Sequence, residues 1–288
     1  MEDKKVKKVI IIAMLISILL LSLTGIVSAQ KSKLQTVLDR GYLLVGTGSA
    51  NVPWHFIDEK GELVGFDIEM ARILAIGLFN DPTKVKFVEQ SPDARIPNLL
   101  TNKVDIVIQF MTITPGRGQL VAFSVPYYTE ATALLIPADG KYKNYEEMVA
   151  AIKDGETITM ATLLNIESNV LVQELLEGAV GTEYETVGLE LQAINSGRAD
   201  ACSIDLSSAL WLAKKEPEKY LLADRTAREM NNAAAMSPND QVWINFVNLV
   251  FQDAMSGYTF KLYNDAYAKW FGGVELSEPK VGKPQIYR

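Results

Sequence analysis

Two hydrophobic rhythms take turns along this chain. Short apolar runs bounded by turn residues, the pattern of buried strands, fall at residues 42–46, 85–88, 104–108, 131–136, 157–160, near 184–187 and at 199–204. Between them, apolar residues recur at helical spacing over 33–40, 66–75, 96–100, 145–152, 166–176, 189–196 and 242–251, with a last helix running to Gly272. A turn is predicted at Asp58-Glu59-Lys60-Gly61, and the tail beyond Gly273, which holds Pro279 and Pro284, reads as irregular. This alternation predicts an α/β fold with mixed, mostly parallel sheets. No internal repeat or low-complexity linker interrupts it.

The first 29 residues stand apart. Lys4, Lys5, Lys7 and Lys8 precede an apolar run from Val9 to Val27, and Val27-Ser28-Ala29 offers small residues for cleavage, as in a secretory signal peptide. A periplasmic protein is therefore expected, with an uncleaved membrane anchor as the alternative, since about 20 apolar residues also span a bilayer. A lipid anchor would need a cysteine at the cleavage site, and the one cysteine is Cys202.

Composition narrows the classes further. With 288 residues, 48% of them hydrophobic, the chain is long enough for one large unit or two lobes. A single cysteine excludes a disulfide framework. Taking four Lys, one Glu and one Asp of the leader from 28 basic and 35 acidic residues leaves a net charge of −9. That argues against a nucleic-acid partner.

The common catalytic constellations are missing. A hydrolytic triad would have to use the sole histidine, His55, whose aromatic neighbours suit packing equally well, and no Gly-x-Ser-x-Gly elbow is present. The Cys/His clusters of zinc sites are missing too, and Gly46-Thr47-Gly48 lacks the third glycine of a dinucleotide loop. No cofactor or metal is therefore expected. What stands out is Met111-Thr112-Ile113-Thr114-Pro115-Gly116-Arg117 directly after a strand, where open α/β sheets bind ligands. A guanidinium there can fork onto a carboxylate, although a surface arginine on a turn fits the same residues. The strand that ends on Asp205 offers a carboxylate for an ammonium group, or an N-cap for the helix from Leu206.

Taken together, these segments resemble the family 3 extracellular solute-binding proteins, the amino-acid receptors of ABC importers. The likeness runs from Leu43-Leu44-Val45-Gly46-Thr47 to Lys269-Trp270-Phe271-Gly272. It takes in Val52-Pro53-Trp54-His55-Phe56, Leu63-Val64-Gly65-Phe66-Asp67, the 111–117 segment, Phe123-Ser124-Val125-Pro126-Tyr127-Tyr128 and Gly197-Arg198-Ala199-Asp200-Ala201. It implies the two-lobed periplasmic-binding-protein type II fold: a first lobe over 30–131, a second over 132–235, and a return with the C-terminal tail over 236–288. Two hinge strands would join the lobes, near 129–136 and 231–236. An amino acid would be captured between them by hinge closure and passed to the membrane permease subunits of an importer, the receptor itself being a monomer.

On the same resemblance, Arg117 and Thr112 hold the α-carboxylate, Asp205 holds the α-amino group and Trp54 forms a wall. Arg95 matches an arginine of the branch that takes acidic amino acids, whereas Gly48 stands where that branch has a further arginine. Leu163-Leu164-Asn165 departs from the usual Gly-Thr-Thr, leaving Asn165 to cap the helix from Ile166 and offer its amide. Phe110 replaces a Gly or Ser and should narrow the pocket. Asn51 and Gln109 would meet the ligand side chain. With Arg95 and Arg117 facing Asp205 and Glu130, the charges balance for a neutral polar ligand, while a Glu130 turned to solvent would favour an acidic one. The cyclohexadienyl dehydratases use the same scaffold with a glutamate three residues after the Asp205 position, where this chain has Ser208. A binding protein is therefore favoured over an enzyme, and over a sensor, which would need a further membrane span or signalling domain.

Overall fold

Four helix starts in this chain are fixed by side chains that take up first-turn N–H groups. Thr114, Asn144, Thr186 and Asp240 accept from the backbone nitrogens of Arg117, Glu147, Leu189 and Trp243. Gly65 precedes another helix for a different reason: its φ is 133°, and a β-carbon there would sit 2.2 Å from the Trp54 carbonyl oxygen. Close approach at Gly65 lets Phe66 and Asp67 donate to the carbonyls of Pro53 and Trp54, which fixes the first turn beneath the site.

The computed structural model describes residues 31–164 and 168–271. The leader, Asn165 with the expected helix start at Ile166, and the tail lie outside the described residues. From Lys33 on, the chain forms one unit. Its strands are β1 (Leu43–Thr47), β2 (Ala50–Asn51), β3 (His55–Ile57), β4 (Leu63–Val64), β5 (Val85–Glu89), β6 (Ile106–Val107), β7 (Ala122–Phe123), β8 (Tyr128–Pro137), β9 (Thr159–Leu163), β10 (Val180–Tyr184), β11 (Ala201–Asp205), β12 (Tyr220–Asn232) and β13 (Ala235–Met236). Its helices are α1 (Lys33–Arg40), α2 (Phe66–Phe79), α3 (Arg95–Leu100), α4 (Pro115–Gly118), α5 (Tyr145–Lys153), α6 (Ser168–Leu175), α7 (Val187–Asn195), α8 (Leu206–Lys215), α9 (Gln241–Ser256) and α10 (Phe260–Phe271).

Two five-stranded sheets result, ordered β5-β1-β6-β13-β7 and β10-β9-β11-β8-β12, with a small antiparallel sheet β2-β3-β4 beside the first. Each large sheet is mixed. In the first, β1 runs parallel to β5 and β6, whereas β13 runs antiparallel to β6 and β7. In the second, β9 runs parallel to β10 and β11, whereas β8 runs antiparallel to β11 and β12. The parallel share is therefore half rather than most. Apolar clusters cover both large sheets, one around Trp54, Phe66, Trp243 and Phe251, others around Leu134 with Met160 and Ala133 with Ile204. The chain passes between the large sheets twice, from β7 to β8 and from β12 to β13, and the two passages are tied together. Ser124 donates its N–H to the Ala234 carbonyl at 2.9 Å, and Ala234 N–H returns to Ser124 Oγ at 3.0 Å.

Two of the differences from the predicted elements lie in the second large sheet. The strand expected near 184–187 ends at Tyr184, because Thr186 caps α7 and Val187 is already helical. Of the 13-residue strand β12 only the end, Asn231 and Asn232, falls within a predicted strand. Its pairing with β8 shifts register between Leu222 and Thr226 and again between Ala227 and Met230, with Asp224 and Arg228 at φ 51° and 54°. Each bulge resets the two-residue alternation that marks a strand in sequence.

Candidate functional site

The loop after β6 turns two arginines toward one cavity. Thr114 caps α4 by accepting the Arg117 N–H at 3.3 Å, and Arg117 Nη1 donates to the Thr112 carbonyl at 2.7 Å. Arg95, at the start of α3, donates from Nε to the Pro92 carbonyl at 2.8 Å and from Nη1 to the carbonyls of Gln109 and Phe110 at 3.1 and 3.3 Å. Neither forms an ion pair with a carboxylate among the described residues. Burial, then repulsion from Arg117, lowers the Arg95 pKa below the usual guanidinium value. Both line a cavity of about 730 Å³ together with Thr112, Phe110, Gln109, Asn51, Glu89 and His55.

The backbone of this wall is held in an uncommon conformation. Phe110 has φ 42°, which costs a bulky residue energy, and its N–H donates to Asp67 Oδ2 at 2.8 Å. Asp67 is fully buried and also accepts from the Tyr127 hydroxyl at 2.7 Å, with His55 Nδ1 2.8 Å from Oδ2. Gln109 is locked as well: its Oε1 accepts from Gln90 Nε2 at 3.0 Å and its Nε2 donates to the Gln90 carbonyl at 3.1 Å.

Asp205 lies in an adjoining cavity of about 300 Å³, lined by Ala50, Asn51 and Val52 on one side and by Val187, Leu191 and Ser208 on the other. It occupies the N-cap position of α8, yet its side chain makes no capping bond. Glu130 does that work, its Oε1 accepting from the N–H groups of Ser207 and Ala131 at 3.2 and 2.9 Å. Burial raises Asp205 to about 6; burial and then Asp205 raise Glu130 to about 7 and Glu190 to about 8. Glu130 Oε2 and both Glu190 oxygens are buried without a hydrogen-bond partner.

Of the predicted site residues, Arg117, Thr112, Arg95, Phe110, Asn51 and Gln109 share the larger cavity. Asp205 does not reach it; the two cavities meet only along Ala50 and Asn51. Trp54 needs correction. It is fully buried, its ring packs on Phe66, Phe110, Tyr128 and Phe271, and its Nε1 donates to Ser207 Oγ at 2.8 Å. The apolar burial of an indole outweighs exposure to a cleft, and Phe110, 4.6 Å in front of it, forms the aromatic wall instead. Asn165 lies outside the described residues. Glu130 is buried rather than turned to solvent. Ser208 is tied to the Val52 carbonyl at 2.9 Å. Sequence reasoning missed Glu89, Glu190 and the pairing of His55 with Asp67; a histidine 12 residues before a buried aspartate carries no spacing signal.

Two α/β layers joined by two strand passages, with opposite charges facing adjoining cavities between them, define a solute-binding protein. The chain belongs to the bacterial extracellular solute-binding proteins, family 3, whose model matches residues 43–273. It is similar to the glutamine-binding protein of Geobacillus stearothermophilus, 29% identical over 200 residues, 69% of this chain and 74% of that protein. It is also similar to the ABC transporter glutamine-binding protein of Bacillus subtilis, 26% identical over 73% of this chain and 74% of that one. Among solved structures, an ancestral cationic amino acid solute-binding protein superposes with a TM-score of 0.70 at 32% identity, covering 83% of this chain and all of that one. These are binding proteins, not enzymes. Among the described residues no helix is long and apolar enough to cross a membrane.

Proposed function

We propose that the protein captures an amino acid between its two sheets and delivers it to the permease of an ABC importer, after export by the basic, apolar leader. The carrying observation is the placement of charge: two guanidiniums that pair with no carboxylate among the described residues face one cavity, and the Asp205 carboxylate, which makes no capping bond, faces the next. A zwitterion seated along Ala50 and Asn51 matches that polarity, its α-carboxylate on Arg117 and Thr112 and its ammonium on Asp205. The paired passages at 124–127 and 233–234 serve as the hinge between a first lobe over 30–131 and 236–288 and a second over 132–235, working as a monomer. Closure would bring Arg117 and Asp205 onto the same ligand.

The ligand we infer is a neutral polar amino acid. Arg95 already gives Nε and Nη1 to backbone carbonyls, which leaves it poorly placed to take a second ligand carboxylate. Glu130 is buried beside Asp205 with its pKa raised to about 7, so near neutral pH it supplies part of the negative charge opposite the two arginines. The remaining wall is polar, with Asn51, Gln90, Gln109 and His55, and carries one carboxylate, Glu89. Calorimetric competition among glutamine, glutamate and arginine tests this. Glutamine is expected to win; glutamate or aspartate winning over every neutral amino acid, with Arg95→Ala removing that preference, overturns it.

A further inference from the structure

We propose that His55 recognises the ligand side chain, its Nε2 accepting a hydrogen bond from a primary carboxamide while Asp67 fixes its tautomer, an inference that rests on the amino-acid reading above. His55 is 5% exposed and its Nδ1 lies 2.8 Å from Oδ2 of the fully buried Asp67. A carboxylate acceptor there places the ring proton on Nδ1 and leaves a lone pair on Nε2. Nε2 has no hydrogen-bond partner among the described residues, and the ring lines the cavity of Arg95 and Arg117. A packing role alone would need neither the buried aspartate nor a polar ring edge at the cavity wall.

The approach to that nitrogen depends on Gly48. A β-carbon at position 48 would lie 2.9 Å from His55 Nε2 and 3.1 Å from Gln109 Nε2, so glycine keeps both nitrogens accessible from one point. Gln109 Nε2 spends one hydrogen on the Gln90 carbonyl and keeps a second. An acceptor nitrogen beside a donor nitrogen complements a carboxamide, whose NH₂ donates to His55 and whose oxygen accepts from Gln109. A carboxylate can satisfy Gln109 but meets the Nε2 lone pair, so the site should select amide over acid. The charged groups around this pair are Asp67 on α2, Glu89 on β5, Arg95 on α3 and Arg117 on α4, with Tyr127 behind Asp67.

Because the chain has one histidine, its imidazole can be followed directly by nitrogen NMR on untagged protein. The free protein should show the Nδ1–H tautomer, and L-glutamine should move the Nε2 resonance. His55→Asn keeps a donor toward Asp67 and loses the second nitrogen. Its Kd for glutamine should rise about tenfold, as for one lost hydrogen bond in a closed cleft. The glutamine-to-glutamate affinity ratio should be lower in the variant than in the wild type at the same pH. An Nε2 resonance unmoved at saturation, or unchanged selectivity in His55→Asn, overturns the assignment of His55 alone, whereas binding of a charged amino acid but neither glutamine nor asparagine overturns it together with the neutral polar ligand. A wild-type protein that binds no amino acid overturns the function proposed above together with it.

Discussion

Arg95 and Arg117, on the first-sheet side, are solvated by the carbonyls of Pro92, Gln109, Phe110 and Thr112. Glu130, Asp205 and Glu190, on the second-sheet side, have few such partners, and burial raises all three. Backbone dipoles that point at a guanidinium repay its desolvation and fix its direction before any ligand arrives. Of the carboxylates only Glu130 has backbone N–H donors, from Ala131 and Ser207 on one oxygen, and its other oxygen and both of Glu190 lack a partner among the described residues. On the proposed function the first lobe is therefore the preformed half of the site, and the second gains most when a cationic ammonium enters. That difference in gain is what a ligand needs to shift a hinge equilibrium toward closure.

The largest effect should come from the preformed half. Arg117→Ala is expected to weaken ligand binding by ~3 to 5 kcal/mol, because a ligand carboxylate would then be enclosed without its partner. Arg117→Lys should recover only part, since an ammonium cannot reproduce the fork. Calorimetry reads both, and near wild-type affinity in the alanine variant would remove Arg117 from the site.

Asp205→Asn comes next, at ~2 to 4 kcal/mol, by loss of the charge that holds the ammonium. Asp205 also gives a pH signature. Its pKa is raised to about 6, so below that value it carries a proton and cannot pair with an ammonium. Wild-type affinity should fall by up to about tenfold per pH step below pH 6, whereas the asparagine variant should lack that dependence. An equal slope in both proteins would place the ammonium elsewhere.

The two halves were unequally legible from sequence. Arg117, Thr112 and the cap at Thr114 follow one another along the chain, so the loop, its hydroxyls and its guanidinium could be read together. Asp205 was visible as a carboxylate at a strand end, but the choice between ligand contact and N-cap was not. Glu130, 75 residues earlier, decides it by taking the Ser207 N–H, and no local pattern records a contact between β8 and the distant helix α8. Trp54 failed for the same reason: the rings that enclose it, from Phe66 to Phe271, are brought together by tertiary packing alone. The main helices of both layers were foreseen because amphipathic spacing is local, while β12 was hidden by its two bulges.

A smaller effect separates the halves without any ligand. Glu190, Glu130 and Asp205 titrate above their ordinary values of 4.5, 4.5 and 3.8, so the folded state keeps protons that the unfolded chain releases. Stability of the free protein should therefore be highest at acidic pH with respect to these groups and fall as pH rises from about 4 to about 8. Glu190→Gln removes the steepest share of that fall. It should stabilise the protein by ~2 to 3 kcal/mol at about pH 8, or about 4 to 10 °C in melting temperature, and by nothing at about pH 4. A thermal melt series across this range checks it, and a gain that is the same at both ends would mean that packing, not charge, is being relieved.

The smallest effect tests how the first-lobe wall is held. Phe110 sits at φ 42° with its N–H on Asp67 and its ring 4.6 Å from Trp54. Truncation to alanine removes the ring but keeps a β-carbon in the left-handed region, whereas glycine removes the ring and the conformational cost together. In most positions alanine is the more stable of the two, because glycine gains more freedom on unfolding. Here the order should invert, with Phe110→Gly more stable than Phe110→Ala by about 1 kcal/mol and both below the wild type through the lost aromatic contact. Denaturant titration of the three proteins at one pH measures the differences directly. The Asp67 bond should survive in both variants, since it uses the backbone N–H, so that the carbonyls of Gln109 and Phe110 stay on Arg95. Alanine more stable than glycine would mean that the backbone relaxes once the ring is gone, and that the wall is shaped by the phenyl group rather than by Asp67.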